Sequence, residues 1–587
     1  MGNKTLLIAA ICLFCSACEQ EKDLISSQKS KEKTLRVAFD GAPRSLDPSS
    51  ASSVYAVGIV LATYETLFEY RYGDGPLILD LGLASDWPII SDDGKEVTIT
   101  IQSNSAFSDN ELFEGGVGRK VNAGDIAFTI LRHFDVKTKS QARYLWRDLI
   151  VGIEDWSGDY DALPTGIQIL DDRTIKFRLT RESPQFLHTL STAFSAILPK
   201  ELAYSSKPDL KNSTIGSGPF RLVSIDSARA VLERNVNHRK YVSPESEWSF
   251  QDQTANASNE PRRDDAPFVD KVTIEFINDP TARWVSFENR DVHIAIISDD
   301  FLDPMLRSHK PVQLKKEFSE QYAVYPYFSS EAIFYRIRMD DPSIGIHVEP
   351  TRNSRNRRLR CAIRYSIDWS KRNQFFYGGD AHLYSGIVPP SLPEFDSSRS
   401  FEADGLLLKA RDIFSSLKSE YDLPVITYGH TTSVQAVQNF EFFRSSLVAA
   451  GYPKDKVKGV QYATFGDFIN GSNNGSHQIT LTSWGLDFGD TENILQLFYG
   501  PNRSPGANFS NFENEKYDAL YDQMKVMTPS KHRSAIVSEM NDILDNECVY
   551  SGSATRERVI ITHKDIAGIP NHDATKIGRY FKYISMN

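Results

Sequence analysis

Short segments in which apolar and polar residues alternate recur along most of the chain. Because successive side chains of a strand point to opposite faces, this period of two predicts β-strands. The predicted strands are residues 34–39, 96–101, 174–179, 230–234, 271–277, 332–337 and 423–428.

Between these strands, apolar residues recur at spacings of three and four, which predicts helices with one buried face. The predicted helices are residues 55–68, 123–134, 357–376, 433–450, 514–524 and 531–545. This mixture, without an internal repeat, indicates an α/β chain rather than an all-helical or all-β one. Residues 243–267 are rich in Ser, Glu, Asn and Asp, and they are predicted to form a surface excursion.

The most informative segment is residues 484–501, which read WGLDFGDTENILQLFYGP. The alternation of residues 477–484 just before it predicts a strand. Residues 491–499 predict the opening of a helix that Asp490 or Thr491 caps.

Asp487 would then lie where that strand ends, between Leu486 and Phe488. A carboxylate among large apolar groups loses hydration, which is costly unless a cation or several donors compensate. Asp487 therefore either selects a positively charged ligand group or caps a helix and accepts turn N–H groups. The local sequence leaves both interpretations open.

The N-terminus indicates where the protein works. Residues 1–17 carry one Lys and a short apolar stretch, and they end in Ser16 and Ala17 before Cys18. The pattern resembles a bacterial lipoprotein signal, which predicts cleavage before Cys18 and acylation of that cysteine. A plain secretory peptide is the alternative. The polar residues 18–33 suit a flexible tether that holds a globular body off the membrane.

Composition bounds the rest of the chain. The formal charge is -11, and it becomes -12 if the signal is removed, because Lys4 leaves with no acid. Such an acidic protein is not expected to bind nucleic acid. With 40% hydrophobic residues among 587, the body can bury a large core in two or three lobes.

Two of the five cysteines would leave with the signal and Cys18 would be acylated, so Cys361 and Cys548 remain. Cys361 lies in a predicted helix. We expect each to be a buried free thiol, with one disulfide as the alternative.

Patterns typical of catalysis are weak. The sequence contains no G-x-S-x-G elbow, phosphate-binding Walker loop or H-E-x-x-H helix, and its twelve histidines are scattered. Residues 216–219 (GSGP) do not fit a phosphate loop, because Pro219 lacks an N–H and a strand follows. The arginines of residues 352–364 are expected at solvated positions on a helix rather than as an anion clamp. We therefore predict no enzyme, no metal site and no cofactor.

Seven motifs occur in an order that resembles the family 5 extracellular solute-binding proteins of ABC importers, the peptide-binding group. They are residues 45–48 (SLDP), 64–68 (YETLF), 83–87 (LASDW) with 91–95 (SDDGK), 122–130 (NAGDIAFTI), 216–220 (GSGPF), 358–368 (RLRCAIRYSID) and 483–490 (SWGLDFGD). Two departures are the HRKY of residues 238–241 and extra residues at 111–120 and 243–267.

The resemblance implies a two-lobed periplasmic binding protein fold, with an extra subdomain in the first lobe and a ligand cleft between the lobes. Two hinge crossovers would let the lobes close on a ligand. The implied limits are residues 34–70, 213–311 and 500–587 for lobe I (Ia), 71–212 for subdomain Ib, and 312–499 for lobe II.

The resemblance also implies site residues. Asp487 matches the aspartate that binds the peptide ammonium in relatives, and this favours a ligand role for it. The neighbouring wall would be Trp484, Gly485, Leu486 and Phe488, and the opposite edge would be Ser52, Ser53 and Val54.

The function expected from the resemblance is that of a substrate-binding lipoprotein that captures oligopeptides or dipeptides. It would be a monomer in the periplasm or cell envelope, anchored by lipid, and would deliver its ligand to a permease and ATPase complex. Alternatives are a receptor for a nickel chelate, haem, or a modified peptide or glycan fragment, a secreted hydrolase, and a surface signalling or adhesion protein.

Overall fold

The computed structural model describes residues 32–39, 41–51, 53–70, 79–140, 142–205, 209–239, 266–296, 299–309, 311–399, 406–569 and 574–586. Cys18, Ser52 and most of the segment 243–267 lie outside these residues. Strands and helices alternate, which confirms the α/β prediction.

The strands are, in chain order, β1 Thr34–Phe39, β2 Phe68–Tyr70, β3 Leu79–Leu81, β4 Ile89–Ile90, β5 Glu96–Thr100, β6 Ile167–Asp171, β7 Thr174–Arg178, β8 Phe220–Ile225, β9 Arg229–Arg234, β10 Lys271–Phe276, β11 Ile294–Ile296, β12 Leu306–His309, β13 Val312–Leu314, β14 Tyr322–Phe328, β15 Glu331–Ile337, β16 His382–Leu383, β17 Ile426–Thr431, β18 Val457–Tyr462, β19 Ile479–Gly485, β20 Tyr550–Thr555, β21 Glu557–His563, β22 Ile566–Ala567 and β23 Ser585–Met586.

The helices are α1 Val54–Thr63, α2 Ala123–Arg132, α3 Phe186–Thr189, α4 Pro280–Glu288, α5 Asp299–Leu302, α6 Lys316–Ser319, α7 Pro350–Ser366, α8 Trp369–Tyr377, α9 Leu406–Glu420, α10 Val434–Ala449, α11 Phe465–Asn473, α12 Glu492–Leu495, α13 Glu515–Met524 and α14 Lys531–Glu547. Short 3-10 helices include Arg143–Leu145 and Ala574–Tyr583. No helix of the described chain is both long enough and apolar enough to cross a bilayer.

Three larger sheets organise these elements. A seven-stranded sheet has the order β14-β21-β11-β1-β10-β9-β8, and a six-stranded sheet has the order β16-β20-β15-β19-β17-β18. A four-stranded antiparallel sheet, β4-β5-β7-β6, has its own apolar core. The chain therefore forms two lobes and a further subdomain, each with a buried core.

The described chain passes between the two large sheets twice. The first passage is Ser329–Ser330, between β14 and β15, and the second is the single residue Arg556, between β20 and β21. We propose that these passages bound the second lobe, so that it comprises residues 331–555. These boundaries differ from the limits of residues 312 and 499 that the resemblance implied. The first limit differs because β14 belongs to the seven-stranded sheet. The second differs because α13, α14 and β20 pack into the core around the six-stranded sheet.

Several predicted elements have different ends in the structure. The helix predicted at residues 55–68 ends at Thr63, because Tyr64 is extended and residues from Phe68 form β2. The helix predicted at 357–376 is two helices, α7 and α8, since Ile367 is extended and Asp368 caps α8. The strand predicted at 423–428 is shifted to β17, after Pro424, which lacks an N–H.

The GSGPF segment is a packing feature. The N–H of Gly218 donates to the carbonyl of Thr63 at the end of α1, at 3.1 Å. A Cβ atom at Gly216 would lie 2.0 Å from the same carbonyl oxygen, a distance that only glycine avoids. The strand β8 follows directly, as predicted.

The prediction of two free thiols is wrong, because Cys361 in α7 and Cys548 after α14 form a disulfide. The Cα atoms lie 5.2 Å apart although the residues are 187 positions apart in the chain. The tertiary packing of α7 against α14 brings the two cysteines together, which the local helical pattern could not indicate. A disulfide fits a protein that folds in an oxidising compartment.

We expect the disulfide to stabilise the second lobe. Replacing Cys361 and Cys548 together with alanine should lower the free energy of unfolding by about 2 to 4 kcal/mol, because a long loop of the unfolded chain is no longer closed. Denaturant unfolding measures this difference. A reductant should shift the wild type toward the variant and leave the variant unchanged, whereas equal midpoints for the oxidised wild type and the variant would contradict the expectation.

Candidate ligand-binding site

A cavity of about 660 Å³ lies between the two lobes. Its first-lobe wall includes the end of β1 at Phe39 and the start of α1 at Val54 and Tyr55. Its second-lobe wall is the end of β19 and the residues that follow, up to Asp487. The hinge residues Ser329, Ser330 and Arg556 also line it. The cavity is therefore enclosed by both lobes and by the two passages that join them.

The strand predicted to precede Asp487 is present as β19. It pairs in antiparallel register with β15, so that Gly485 faces Glu331 and Trp484 faces Ala332. The N–H of Leu486 continues the contact by donating to the carbonyl of Ser330 at 2.8 Å. Asp487 thus lies at the strand exit, as predicted.

The two apolar neighbours of Asp487 are both buried, at 4% exposure each. Leu486 belongs to the core of the second lobe, whereas Phe488 packs into the core of the four-stranded subdomain. Because they anchor in different cores, they fix the backbone on either side of Asp487. The carboxylate is held between the lobes as a result.

The Asp487 carboxylate accepts hydrogen bonds from both sides of the cleft. The Tyr144 hydroxyl, from the subdomain, donates to Oδ2 at 2.6 Å, and Nδ2 of Asn493 approaches the same oxygen at 3.5 Å. Burial of the hydroxyl, followed by the charge of Asp487 and their hydrogen bond, raises the pKa of Tyr144 well above its ordinary value. Tyr144 therefore remains a neutral donor at physiological pH.

The predicted site residues divide into three groups. Val54, Gly485, Leu486 and Asp487 line the cavity. Three others have structural contacts instead. Trp484 Nε1 donates to Asn493 Oδ1 at 3.1 Å, and the Ser53 hydroxyl caps α1. Phe488 is a core residue of the subdomain. Ser52 lies outside the described residues. The ligand roles of all of them stay predictions.

The sequence reasoning missed the charged residues of the cavity. They are Arg283, Glu331, Arg556, Arg558 and Arg579. The only local signal was the spacing of Arg556, immediately before β21, and Arg558, within it, since residues two apart in an extended segment point to the same face. Arg283 and Arg579 come from separate parts of the chain, and no motif marks them.

One of these arginines forms an ion pair at the hinge. The Arg556 guanidinium contacts both carboxylate oxygens of Glu331, and the Ser483 hydroxyl donates to the same carboxylate at 2.7 Å. Burial alone would raise the pKa of Glu331, but the hydrogen bonds and charge of Arg556, with smaller contributions from the Ser483 hydroxyl and the charge of Arg558, outweigh it and lower that pKa. Both partners are therefore charged, and Arg556 has a carboxylate in direct contact.

Asp490 has a different environment from Asp487 although only three residues separate them. Its carboxylate forms a fully buried ion pair with Arg533 at 2.5 Å, and Arg533 also contacts Glu394 at 2.9 Å. Thr491 is the N-cap residue of the predicted helix but its side chain makes no capping hydrogen bond, whereas Asp490 Oδ1 accepts the N–H of Glu492, the first helical residue, at 2.8 Å. That helix is short, since α12 ends at Leu495 and a 3-10 turn follows.

No group of three or more possible metal ligands occurs among the residues that the structure describes. Burial and the charge of Asp490 raise the pKa of the nearby Glu492 carboxyl to about 7, and the Tyr521 hydroxyl donates to it at 3.1 Å. These groups are already engaged with one another, so the cluster around Arg533 is a structural one.

Residues 79–506 match the family model "Bacterial extracellular solute-binding proteins, family 5 Middle". The chain belongs to this family. Related proteins include heme-binding protein A of Haemophilus influenzae, 21% identical and matched over 92% of each chain, and the dipeptide-binding protein of Escherichia coli, 21% identical over 88% of each.

Solved structures share the two-lobed fold of this family 5 protein. The periplasmic binding protein DppA from Helicobacter pylori, in complex with the peptide STSA, has a TM-score of 0.72 at 19% identity and covers 96% of this chain and 99% of its own. The murein tripeptide binding protein MppA of Escherichia coli has a TM-score of 0.70 at 18% identity, covering 95% and 99%. These likenesses confirm the predicted fold, and the family model confirms the predicted family.

The two aspartates of this solute-binding protein should respond differently to replacement. Asp490→Ala should lower the free energy of unfolding by about 3 to 5 kcal/mol, because it leaves Arg533 buried with one partner fewer. Asp487→Ala should cost less, about 1.5 to 3 kcal/mol, because it removes hydrogen bonds from neutral donors to a half-buried carboxylate. Denaturant unfolding of both variants tests this contrast, and equal losses would contradict it.

Proposed function

We propose that this protein is the substrate-binding lipoprotein of an ABC importer and that it captures short peptides in the cleft between its lobes. The observation that carries the proposal is the position of Asp487, at the exit of β19, on the cavity wall and between two anchored apolar residues. A ligand ammonium placed there would meet a carboxylate with reduced hydration, which favours a charge-assisted hydrogen bond.

The backbone of β19 supports peptide binding. From Leu481 to Gly485 this strand pairs with β15 on one side, while β17 pairs with it only at Ile479 among the described residues. Ser483 and Gly485 are exposed and line the cavity. An extended peptide could therefore add to this part of β19 as a further strand, gaining affinity from its main chain with little selection among side chains.

The hinge supports capture by closure. Only the passages at Ser329–Ser330 and Arg556 join the two large sheets in the described chain, so small changes in their backbone angles can rotate one lobe against the other. The cavity lies directly between the lobes. Closure would remove water from a bound ligand and strengthen its polar contacts.

The cellular role follows from the family and the N-terminus. We infer that Cys18 is acylated and anchors the mature chain to a membrane on the periplasmic side, with a short tether before β1. The protein would act as a monomer without cofactor or catalytic activity, and it would deliver its ligand to a permease and ATPase complex. The peptide complexes and peptide-binding names among its relatives support this role.

A second candidate ligand is a non-peptide solute. Haem is one such candidate, because the chain is similar to heme-binding protein A of Haemophilus influenzae. Haem lacks an ammonium group for Asp487 to bind. Peptide and haem are therefore distinguished by whether affinity depends on that carboxylate.

The recognition proposal predicts a large effect of Asp487→Ala on peptide binding. Removing one partner of a desolvated charge pair costs about 2 to 5 kcal/mol, so affinity should fall roughly thirtyfold or more. N-acetylation of the peptide should weaken binding to the wild type to a similar degree. Because both changes remove the same contact, their effects should not add. Isothermal titration calorimetry of the four combinations measures this.

Asp455→Ala is a matched control, since Asp455 is an exposed residue of the second lobe that does not line the cavity. It should bind peptide like the wild type. Unchanged affinity on N-acetylation would remove Asp487 as the ammonium site and would favour the non-peptide candidate.

The anchor proposal predicts that Cys18→Ser releases or mislocalises the protein, because the residue that is acylated is lost. Cell fractionation measures the distribution of the two forms. Intact-mass analysis of membrane-extracted wild type should show a chain that begins at Cys18 and carries acyl chains. A mass without acyl chains would contradict the proposal.

A further inference from the structure

The cleft has the opposite charge to the rest of the protein. Four arginines line it, but only two carboxylates, Glu331 and Asp487, do so. The whole chain has a formal charge of -11, so an excess of arginine at one cavity is not a consequence of composition. Exposed charges beyond about 8 Å are largely screened at physiological ionic strength, so the acidic surface contributes little to the field inside the cleft.

Three of the arginines have neutral partners. Arg283 Nη1 donates to the carbonyl of Ile277 at 2.7 Å. Arg558 Nε donates to the Ser329 hydroxyl at 3.1 Å. These hydrogen-bond acceptors carry no charge. The charge of Arg558 also lowers the pKa of Glu331, which pairs with Arg556, so this one carboxylate serves two arginines.

Arg579 is the most buried of the three. It is only 5% exposed, its Nη2 donates to the carbonyl of Ser191 at 2.5 Å, and its guanidinium lies 5.6 Å from the centre of the Tyr70 ring. Nη1 is buried and has no hydrogen-bond partner among the described residues. Arg283 is likewise buried, at 9% exposure. Two carboxylates also border Arg579, those of Glu65 and Glu69, but they pair with Arg239 and Lys582. A buried cation is costly unless an anion compensates it, so the binding of an anion here would be favourable.

The remaining charges are already assigned. Arg556 and Glu331 neutralise each other at the hinge, and under the proposed function Asp487 receives the ligand ammonium. A ligand with one carboxylate would then leave two of the three arginines without an anion. Guanidinium groups bind carboxylates through paired hydrogen bonds, which suits them to acidic ligands.

We propose that the ligand of this cleft is an acidic peptide, with an amine and at least two acid groups, and that Arg283, Arg558 and Arg579 select it. This inference rests on the proposed function and adds to it the charge of the substrate. These arginines would select the charge of the ligand, and this selection is compatible with main-chain pairing along β19.

Calorimetry with isosteric peptide pairs tests the inference without any variant. The probes are Ala-Glu against Ala-Gln, and Ala-Ala-Ala-Glu against Ala-Ala-Ala-Gln, so that each pair differs only in the charge of one side chain. In whichever pair binds, the acidic peptide should bind at least tenfold more tightly than its neutral counterpart. This difference in affinity should shrink at high salt. Equal affinities within a pair would overturn the inference alone. Absence of binding by all four peptides would overturn the proposed function and the inference with it.

Variants assign the effect to the cleft. Arg558→Gln should bring the ratio of affinities within the pair toward one while changing the affinity for the neutral peptide only a few fold. Arg290→Gln is the matched control, because Arg290 is an exposed first-lobe arginine outside the cavity, and it should keep the wild-type ratio. Circular dichroism verifies folding. Should Arg558→Gln fail to fold, Arg283→Gln takes its place, and an unchanged ratio in a folded variant would overturn the assignment to these arginines.

Discussion

The two passages of the chain between its large sheets are the constraint on which the rest of the structure depends. Both passages meet at one ion pair, because Glu331 begins β15 directly after the first passage and Arg556 is the second. The pair fixes the two connections relative to each other while leaving only a few backbone angles to absorb a rotation. It also lies on the wall of the cavity, so the connections between the lobes and the cavity share the same residues.

Asp487 and Asp490 illustrate how environment assigns different roles to identical side chains. Asp490 is enclosed with Arg533, and its charge is compensated within the protein. Asp487 is held at the cavity by Leu486 and Phe488, which are anchored in different cores. In this segment, the buried ion pair of Asp490 fixes the backbone, and the carboxylate of Asp487 faces the cleft.

The arginines of α7 show a similar division. The expectation of solvated positions fits Arg358, which pairs with the exposed Glu420, but not Arg360. Arg360 is fully buried and donates to the carbonyl of Ile344 and to Glu547. Its neighbour Cys361 forms the disulfide to Cys548, so this helix is joined to the end of α14 by both an ion pair and a covalent bond. Helical spacing alone could not separate these environments, since the partners come from a segment almost two hundred residues away.

The sequence by itself determined most of the elements, the family and the position of Asp487 at a strand exit, because periodicity, capping residues and short motifs are local properties. It did not determine where the lobes divide, since α13, α14 and β20 join the second lobe only through packing. Nor did it indicate the disulfide or the basic cleft. Arg283, Arg558 and Arg579 lie in three separate segments, and only the tertiary structure brings them to one cavity. Charge in a cleft is a sum over distant residues, which no local pattern encodes.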